Sequence, residues 1–227
     1  MFFDPTILLI LPGIAFALFA QWKVTSTFKR YAQVRTASGR TGRDVATALL
    51  AAHGVNDVTV EPVGGQLSDH YDPTKKVVRL SEPVYGSNSV AAMGVAAHEV
   101  GHAIQDSKGY MPMRWRWALI GPANLGSALA MPMAFIGLLL GTGGIWLLNL
   151  AIILFSGAVL FHVVTLPVEF NASARAYANL RDSGITSDEE ARLAKRVLDA
   201  AALTYVASAA VALLSLLRLV MLRNSRQ

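Results

Sequence analysis

Between Trp117 and Val168 the chain carries no Asp, Glu, Lys or Arg over 52 consecutive residues. A helix of that length would extend about 78 Å, against a hydrocarbon core of about 30 Å. The run must therefore turn, and Gly141-Thr142-Gly143-Gly144 is where it can. This predicts two membrane spans, over 118–140 and 145–165, with Pro122 and Pro132 placed to bend the first. A hairpin of this kind returns both outer ends to the same side of the bilayer.

Two further apolar runs frame the chain. The first, residues 6–20, continues to Lys23. Only Asp4 is charged before it, and no small-residue cleavage site follows, so a retained helix is expected rather than a signal peptide. Pro12-Gly13 is expected to kink or interrupt it. The last run, 200–217, reaches Arg218, which can snorkel, and continues to Leu222. The division is then 1–22 as an N-terminal span, 23–116 as a polar region, 117–168 as the hairpin, 169–199 as a second polar region, and 200–227 as a C-terminal span and tail. Only 15% of residues are charged, well below the usual quarter of a soluble domain. The two polar regions hold 17 of the 20 Lys and Arg residues, which places them on the cytoplasmic side of a multi-pass cell-membrane protein. Arg223 and Arg226 argue mildly the other way. The excess of basic charge lies beside apolar runs, so membrane lipid is the expected partner and nucleic acid is not. There is no cysteine, so any metal must be held by His, Asp or Glu.

The polar regions carry local signals. Thr41 with Asp44 reads as a capping box ahead of a helix ended by His53-Gly54. Residues 58–63 and 76–80 read as short strands, with 68–73 between them as a loop. Ser87 or Asn88 can cap a helix over 89–106. Glu169 is expected to begin a helix reaching Asn179, and Thr186 or Ser187 to cap the next.

The sequence His98-Glu99-Val100-Gly101-His102 lies on the expected 89–106 helix. Residues four apart share a helix face, so both imidazoles can reach one metal, and neutral imidazole suits zinc. Glu99 can reach a metal-activated water, take its proton and pass it to a leaving amine. The expected cofactor is therefore a single Zn2+ ion. A third ligand must come from elsewhere, and Glu169, at the exit of the hairpin, is the candidate; its alternative role is to stabilise a helix N-terminus beside Pro167. Asp69, His70 and Asp72 form another polar cluster. One of them could bind the metal, orient a ligand or, for His70, stabilise an oxyanion; the alternative is an Asx turn closed by Asp72-Pro73. His70 is carried as a candidate catalytic residue beside Glu99. His53 reads as a helix-end residue and His162 as a span residue bonding across the bundle. Arg175 could hold a carbonyl or a carboxylate, but its helical position relative to Glu169 is unfavourable.

The stretches LSDHYDP (67–73), VRLS (78–81), SVAAMGVAAHEVGHAIQ (89–105), TLPVEFNAS (165–173) and AAALTYVA (200–207) resemble the YugP-like family of membrane zinc metallopeptidases. The resemblance implies His98 and His102 as ligands and Glu99 as catalytic, and it supports Glu169 by position. In the wider group of HtpX-like membrane proteases a second helix presents Glu in an ExxAD-like pattern. Glu169-Phe170-Asn171-Ala172 matches its first part, but Ser173 stands where that group has an Asp that orients a zinc histidine. Asp69, Asp72 or Asn171 are candidates for that duty. Such enzymes bind peptide as an added strand, for which 77–80 is the expected edge.

The fold expected is a mainly α integral membrane protein of about four transmembrane helices, with a zincin-like metallopeptidase core and a small β element. The activity expected is zinc-dependent endopeptidase cleavage of membrane-associated proteins or peptides near the bilayer, with Arg114, Trp115, Arg116 and Trp117 at the interface. The alternatives are a non-proteolytic membrane adaptor or chaperone on the same scaffold, and a zinc hydrolase of lipids or small amides. An oligomer or a regulatory membrane partner stays open.

Overall fold

The computed structural model describes residues 5–225; Asp4 and Arg226, which entered the reading of the first span and of the orientation, lie outside them. The chain is mostly helical with one small sheet. A 3-10 turn, Pro5–Leu9, leads into α1 (Leu11–Tyr31). Then come α2 (Gly42–Ala52), β1 (Thr59–Val63), β2 (His70–Asp72), β3 (Val77–Ser81), α3 (Glu82–Tyr85) and α4 (Val90–Ser107). Three long helices complete it: α5 (Met111–Leu139), α6 (Ile145–Asp182) and α7 (Asp188–Asn224). Among the described residues, four helical stretches are long and apolar enough to cross a membrane: Thr6–Tyr31, Met111–Leu139, Gly141–Asp182 and Asp188–Asn224.

Backbone contacts divide the chain into two units. One comprises the residues up to Gln21, Pro112–Pro167, and those from Thr204 on. Its helices meet through small residues: Ala130, Ala134, Ala151, Ala158 and Ala212 are buried with Leu148, Phe155 and Leu219. Small side chains let helix backbones approach where no water drives association. The outward surface carries exposed Leu18, Phe135, Leu139 and Ile153. The 3-10 segment Gly141–Gly144 makes the expected hairpin turn. The first apolar run breaks just ahead of Pro12-Gly13, where the 3-10 turn ends and α1 begins. Arg218 donates to the Thr6 hydroxyl at 3.3 Å and Arg223 to Asn149 at 3.1 Å, both within this unit. His162 makes an edge contact with Phe161; among the described residues it makes no hydrogen bond across the bundle. With Ser127, Ser208 and Ser215 it lines a pocket of about 340 Å³.

The second unit is Trp22–Met111 with Val168–Leu203. Helix α4 is its centre. It packs against α2, α3 and the β2–β3 side of the sheet, and buries Val90, Met93, Ala96, Ala97, Val100 and Ile104. Ser89 caps α4, accepting from the Ala92 N–H at 3.2 Å. The capping box at Thr41 is present: the Thr41 Oγ1 accepts from the Asp44 N–H, and Asp44 accepts from the Thr41 N–H. The Thr41 hydroxyl, which donates to Asp44 Oδ2 at 2.7 Å, and then the Thr41 N–H hold the Asp44 carboxyl below its ordinary pKa. Of the two caps expected before α7, Ser187 serves, in a reciprocal pair with Glu190.

Four expectations are corrected here. Residues 70–72 form β2 rather than loop, antiparallel to β3. Strand β3 is central in the order β1-β3-β2, so 77–80 is no sheet edge; its other side pairs in parallel with β1. Glu169 does not begin a helix: α6 runs unbroken from Ile145 to Asp182 with Pro167 inside it. The role of a carboxylate at a helix N-terminus therefore falls. Helix α7 likewise continues from Asp188 through the last apolar run to Asn224.

At the crossing of α4 and α6, a Cβ built on Gly101 would lie 2.7 Å from the Ala172 carbonyl oxygen, which is backbone and cannot step aside. Gly94 is less confined, at 3.4 Å from Ala194. Gly101→Ala should lower stability by about 1–3 kcal/mol through overpacking, and Gly94→Ala by clearly less. Thermal unfolding of the two purified variants in detergent checks the order, and equal loss would refute the close crossing.

Candidate metal centre

Helix periodicity places His98, His102 and Gln105 along one face of α4, and Glu169 and Ser173 along one face of α6. Where the helices cross at Gly101, those faces meet. His98 Nε2 lies 3.2 Å and His102 Nε2 3.5 Å from Glu169 Oε2. One ligand atom from each of the three residues can be chosen so that all lie within 4.8 Å of one another. The two rings stand nearly perpendicular, at 84°, with centroids 4.7 Å apart. Glu169 is buried to 1% exposure and Glu99 to 8%.

Three observations test whether this set suits zinc. A tetrahedral ion with bonds of about 2.0–2.2 Å spaces its ligand atoms about 3.3–3.6 Å apart, and the two contacts to Glu169 fall close to that range. The donors, two imidazole nitrogens and a carboxylate oxygen, are those of open-site zinc hydrolases. The far nitrogens of both rings are also engaged: His102 Nδ1 lies 3.0 Å from Gln105 Oε1, and His98 Nδ1 lies 3.1 Å from Ser173 Oγ. Holding Nδ1 in this way turns Nε2 toward the common point. The residues fit.

The profile of a family described as "Putative neutral zinc metallopeptidase" matches residues 6–224. The chain belongs to this family. It is also 48% identical over 216 residues, 95% of each chain, to a Bacillus subtilis (strain 168) protein named "Putative membrane protease YugP". No solved structure is a significant match to it.

The expected site residues can now be placed. His98, His102 and Glu169 come together, with Glu99 buried on the same helix. His70 is exposed on β2, its Nδ1 2.7 Å from the Ser68 carbonyl and its Nε2 3.4 Å from Arg79. Among the described residues no hydrogen bond links His70 to the cluster. The orienting duty foreseen for Asp69, Asp72 or Asn171 is carried differently. Ser173 itself contacts His98, and Asn171 stands behind Gln105, accepting from its amide at 3.0 Å. Asp69 accepts from the Ser81 N–H and hydroxyl at 2.7 and 3.0 Å. Asp72 closes an Asx turn, accepting from the Thr74 and Lys75 N–H groups; the Lys75 N–H, with help from the Arg79 guanidinium and Thr74, holds its carboxyl below the ordinary range. The buried Tyr71 hydroxyl donates to Asp106 at 2.8 Å. Burial first, and then Asp106, pushes the Tyr71 phenol pKa up. His53 is the C-cap of α2, with Nε2 2.9 Å from Asn179.

Gln105 has no role in the sequence reading, and Ser173 enters it only as the residue that stands where an orienting Asp is expected. The signal was available in spacing alone, since Gln105 stands three residues after His102 and Ser173 four after Glu169. The 69–72 cluster ties β2 to β3 and to the end of α4. Asp69→Ala should therefore cost about 1–3 kcal/mol, since it strips the partly buried Ser81 donors of their acceptor, while zinc stoichiometry stays that of the native protein. Denaturant unfolding and metal analysis together check this; loss of zinc without loss of stability would return Asp69 to the metal site.

Proposed function

We propose that this protein is a zinc endopeptidase of the cell membrane that cleaves exposed segments of membrane-associated proteins or peptides beside the bilayer. The observation that carries the reading is the convergence of His98, His102 and Glu169 from two helices, with Glu99 on the turn that presents both histidines. His98, His102 and Glu169 would hold the ion. Zinc, when bound there, supplies Lewis acidity that polarises a peptide carbonyl and makes water a nucleophile near neutral pH. Glu99 takes the proton of the attacking water and returns it to the leaving nitrogen. The small sheet beside α4 is read as a reduced zincin-like core.

Substrate is expected to bind by strand addition. Strand β3 is occupied on both sides, whereas β2 is a sheet edge, and β2 and β3 pack against α4 while α2 packs chiefly on β1. A peptide along β2 would use main-chain hydrogen bonds and would meet the exposed His70, which keeps its candidacy as an oxyanion stabiliser. Trp115 and Trp117 are exposed on the first turns of α5 with Arg114 and Arg116, the composition of a membrane interface.

The purified protein should bind one zinc per chain and hydrolyse an unfolded membrane-protein substrate, with activity lost on chelation and restored by zinc. Glu99→Gln should keep the zinc and lose about 10²–10⁴-fold in kcat. Glu169→Ala should lose the zinc. His70→Ala should lower kcat at unchanged zinc content. A Glu99→Gln protein that fully complements a deletion strain would transfer the reading to a non-proteolytic adaptor or chaperone, and turnover of lipid extract alone to a lipid hydrolase.

The basic residues of 23–116 and 169–199 favour a catalytic region on the cytoplasmic side. Because the chain has no cysteine, Lys75→Cys, at an exposed position of the β2–β3 turn, introduces a single reporter. An impermeant maleimide should label it in inverted vesicles and not in intact cells. The opposite pattern reverses the orientation.

A further inference from the structure

We propose that Arg175 and Asn171 are positioning residues for the metal, acting through Gln105 to fix His102 in the tautomer that leaves Nε2 bare. This rests on the zinc reading above and extends it to residues that touch neither the ion nor the substrate.

Each link follows from what its atoms can do. A guanidinium nitrogen only donates. Arg175 Nε lies 2.7 Å from Asn171 Oδ1, which fixes that atom as the acceptor and settles the orientation of the Asn171 amide. Gln105 Nε2 lies 3.0 Å from the same oxygen and 2.8 Å from the Val168 carbonyl oxygen. Both neighbours accept, so the Gln105 NH2 group faces them and both its hydrogens are used. The Gln105 oxygen is thereby turned to His102 Nδ1, at 3.0 Å. A carbonyl oxygen only accepts, so the ring hydrogen sits on Nδ1. In neutral imidazole the other nitrogen is then a bare lone pair, and His102 Nε2 is the atom 3.5 Å from Glu169.

The reverse arrangement fails at every link. A flipped Gln105 would set its oxygen against the Val168 and Asn171 oxygens. The other His102 tautomer would set a lone pair against the Gln105 oxygen and an N–H toward the ion. Gln105 is fully buried and His102 is 6% exposed, so water is a poor substitute. The Val168 carbonyl belongs to the residue before Glu169, so one amide braces a histidine on α4 and the backbone that carries the carboxylate on α6.

The test uses full-length protein in detergent, with Zn2+ alone titrated against a chromophoric chelator and Co2+ absorption as a spectroscopic readout. Asn171→Leu and Arg175→Met should each weaken zinc binding by about 10–100-fold, the usual effect of losing an outer partner of a ligand, and should reduce the intensity of the tetrahedral Co2+ bands. Asn171→Asp keeps an acceptor for both Arg175 and Gln105, and should bind zinc within a few-fold of the native protein. That rescue separates positioning from mere packing. If Asn171→Leu does not fold, Arg175→Met with Asn171→Asp decides. Native affinity and native Co2+ spectra in Asn171→Leu and Arg175→Met would overturn the relay while leaving the zinc site standing. A native protein that binds no zinc would overturn the metallopeptidase reading and the relay with it.

Discussion

A carboxylate at 1% exposure is tolerable only where its surroundings repay the water it has lost, and Glu169 is in that position opposite two imidazoles. Much of the second unit serves to keep those three groups in register. Helix α4 has to be helical through His102, because only the four-residue spacing sets both rings on one face. It has to lie close to α6, which Gly101 permits and a methyl group would prevent. It also has to be fixed in depth, which the sheet, α2 and α3 do by burying most of its remaining surface.

The long helices give this arrangement its second constraint. Helix α6 supplies Pro112–Pro167's unit with its residues up to Pro167 and the other unit with Val168–Asp182, without interruption of the helix. Glu169 thus lies on the same helix as the charge-free run, two residues past its last proline. Pro167 has no N–H to give the carbonyl four residues earlier, so the one backbone bond necessarily missing at this place lies just before Glu169. The Thr165 hydroxyl in turn donates to the Phe161 carbonyl at 2.7 Å, so side-chain hydrogen bonding also joins the ladder of this turn.

What could be read in advance depended on whether the determining physics was local. The His98–His102 pair, the boxes at Thr41 and Ser187, the turn at Gly141 and the four apolar helices all follow from spacing, capping chemistry or hydropathy within a few residues. Glu169 was legible because a carboxylate at the end of a long apolar run demands a partner. Strand order was not legible: nothing in Val77–Ser81 reveals that it pairs on both sides, since an apolar three-stranded sheet reads alike from its centre and its edge. Strand β2 was hidden by turn-forming neighbours, Asp69 before it and Asp72-Pro73 at its end. The continuity of α6 and α7 was missed because charge marks where the environment changes, not where the backbone stops being helical. Gln105 was overlooked because an uncharged amide between Ile104 and the charged Asp106 draws no notice of its own, although its burial makes its hydrogen bonds obligatory.

The replacement of an orienting carboxylate by Ser173 has an electrostatic logic in this setting. A carboxylate behind a histidine orients the ring and raises its basicity, but it adds a negative charge. Glu99 and Glu169 already bring two carboxylates among residues less than a tenth exposed, and a third would have to be desolvated beside them. A serine hydroxyl behind His98 and an amide oxygen behind His102 hold the same nitrogens without that cost. The positive charge that the site recruits from the protein, Arg175, is then spent on an amide oxygen rather than on neutralising an acid. Orientation is obtained from hydrogen-bond direction, while the negative charge of this cluster stays with Glu99 and Glu169.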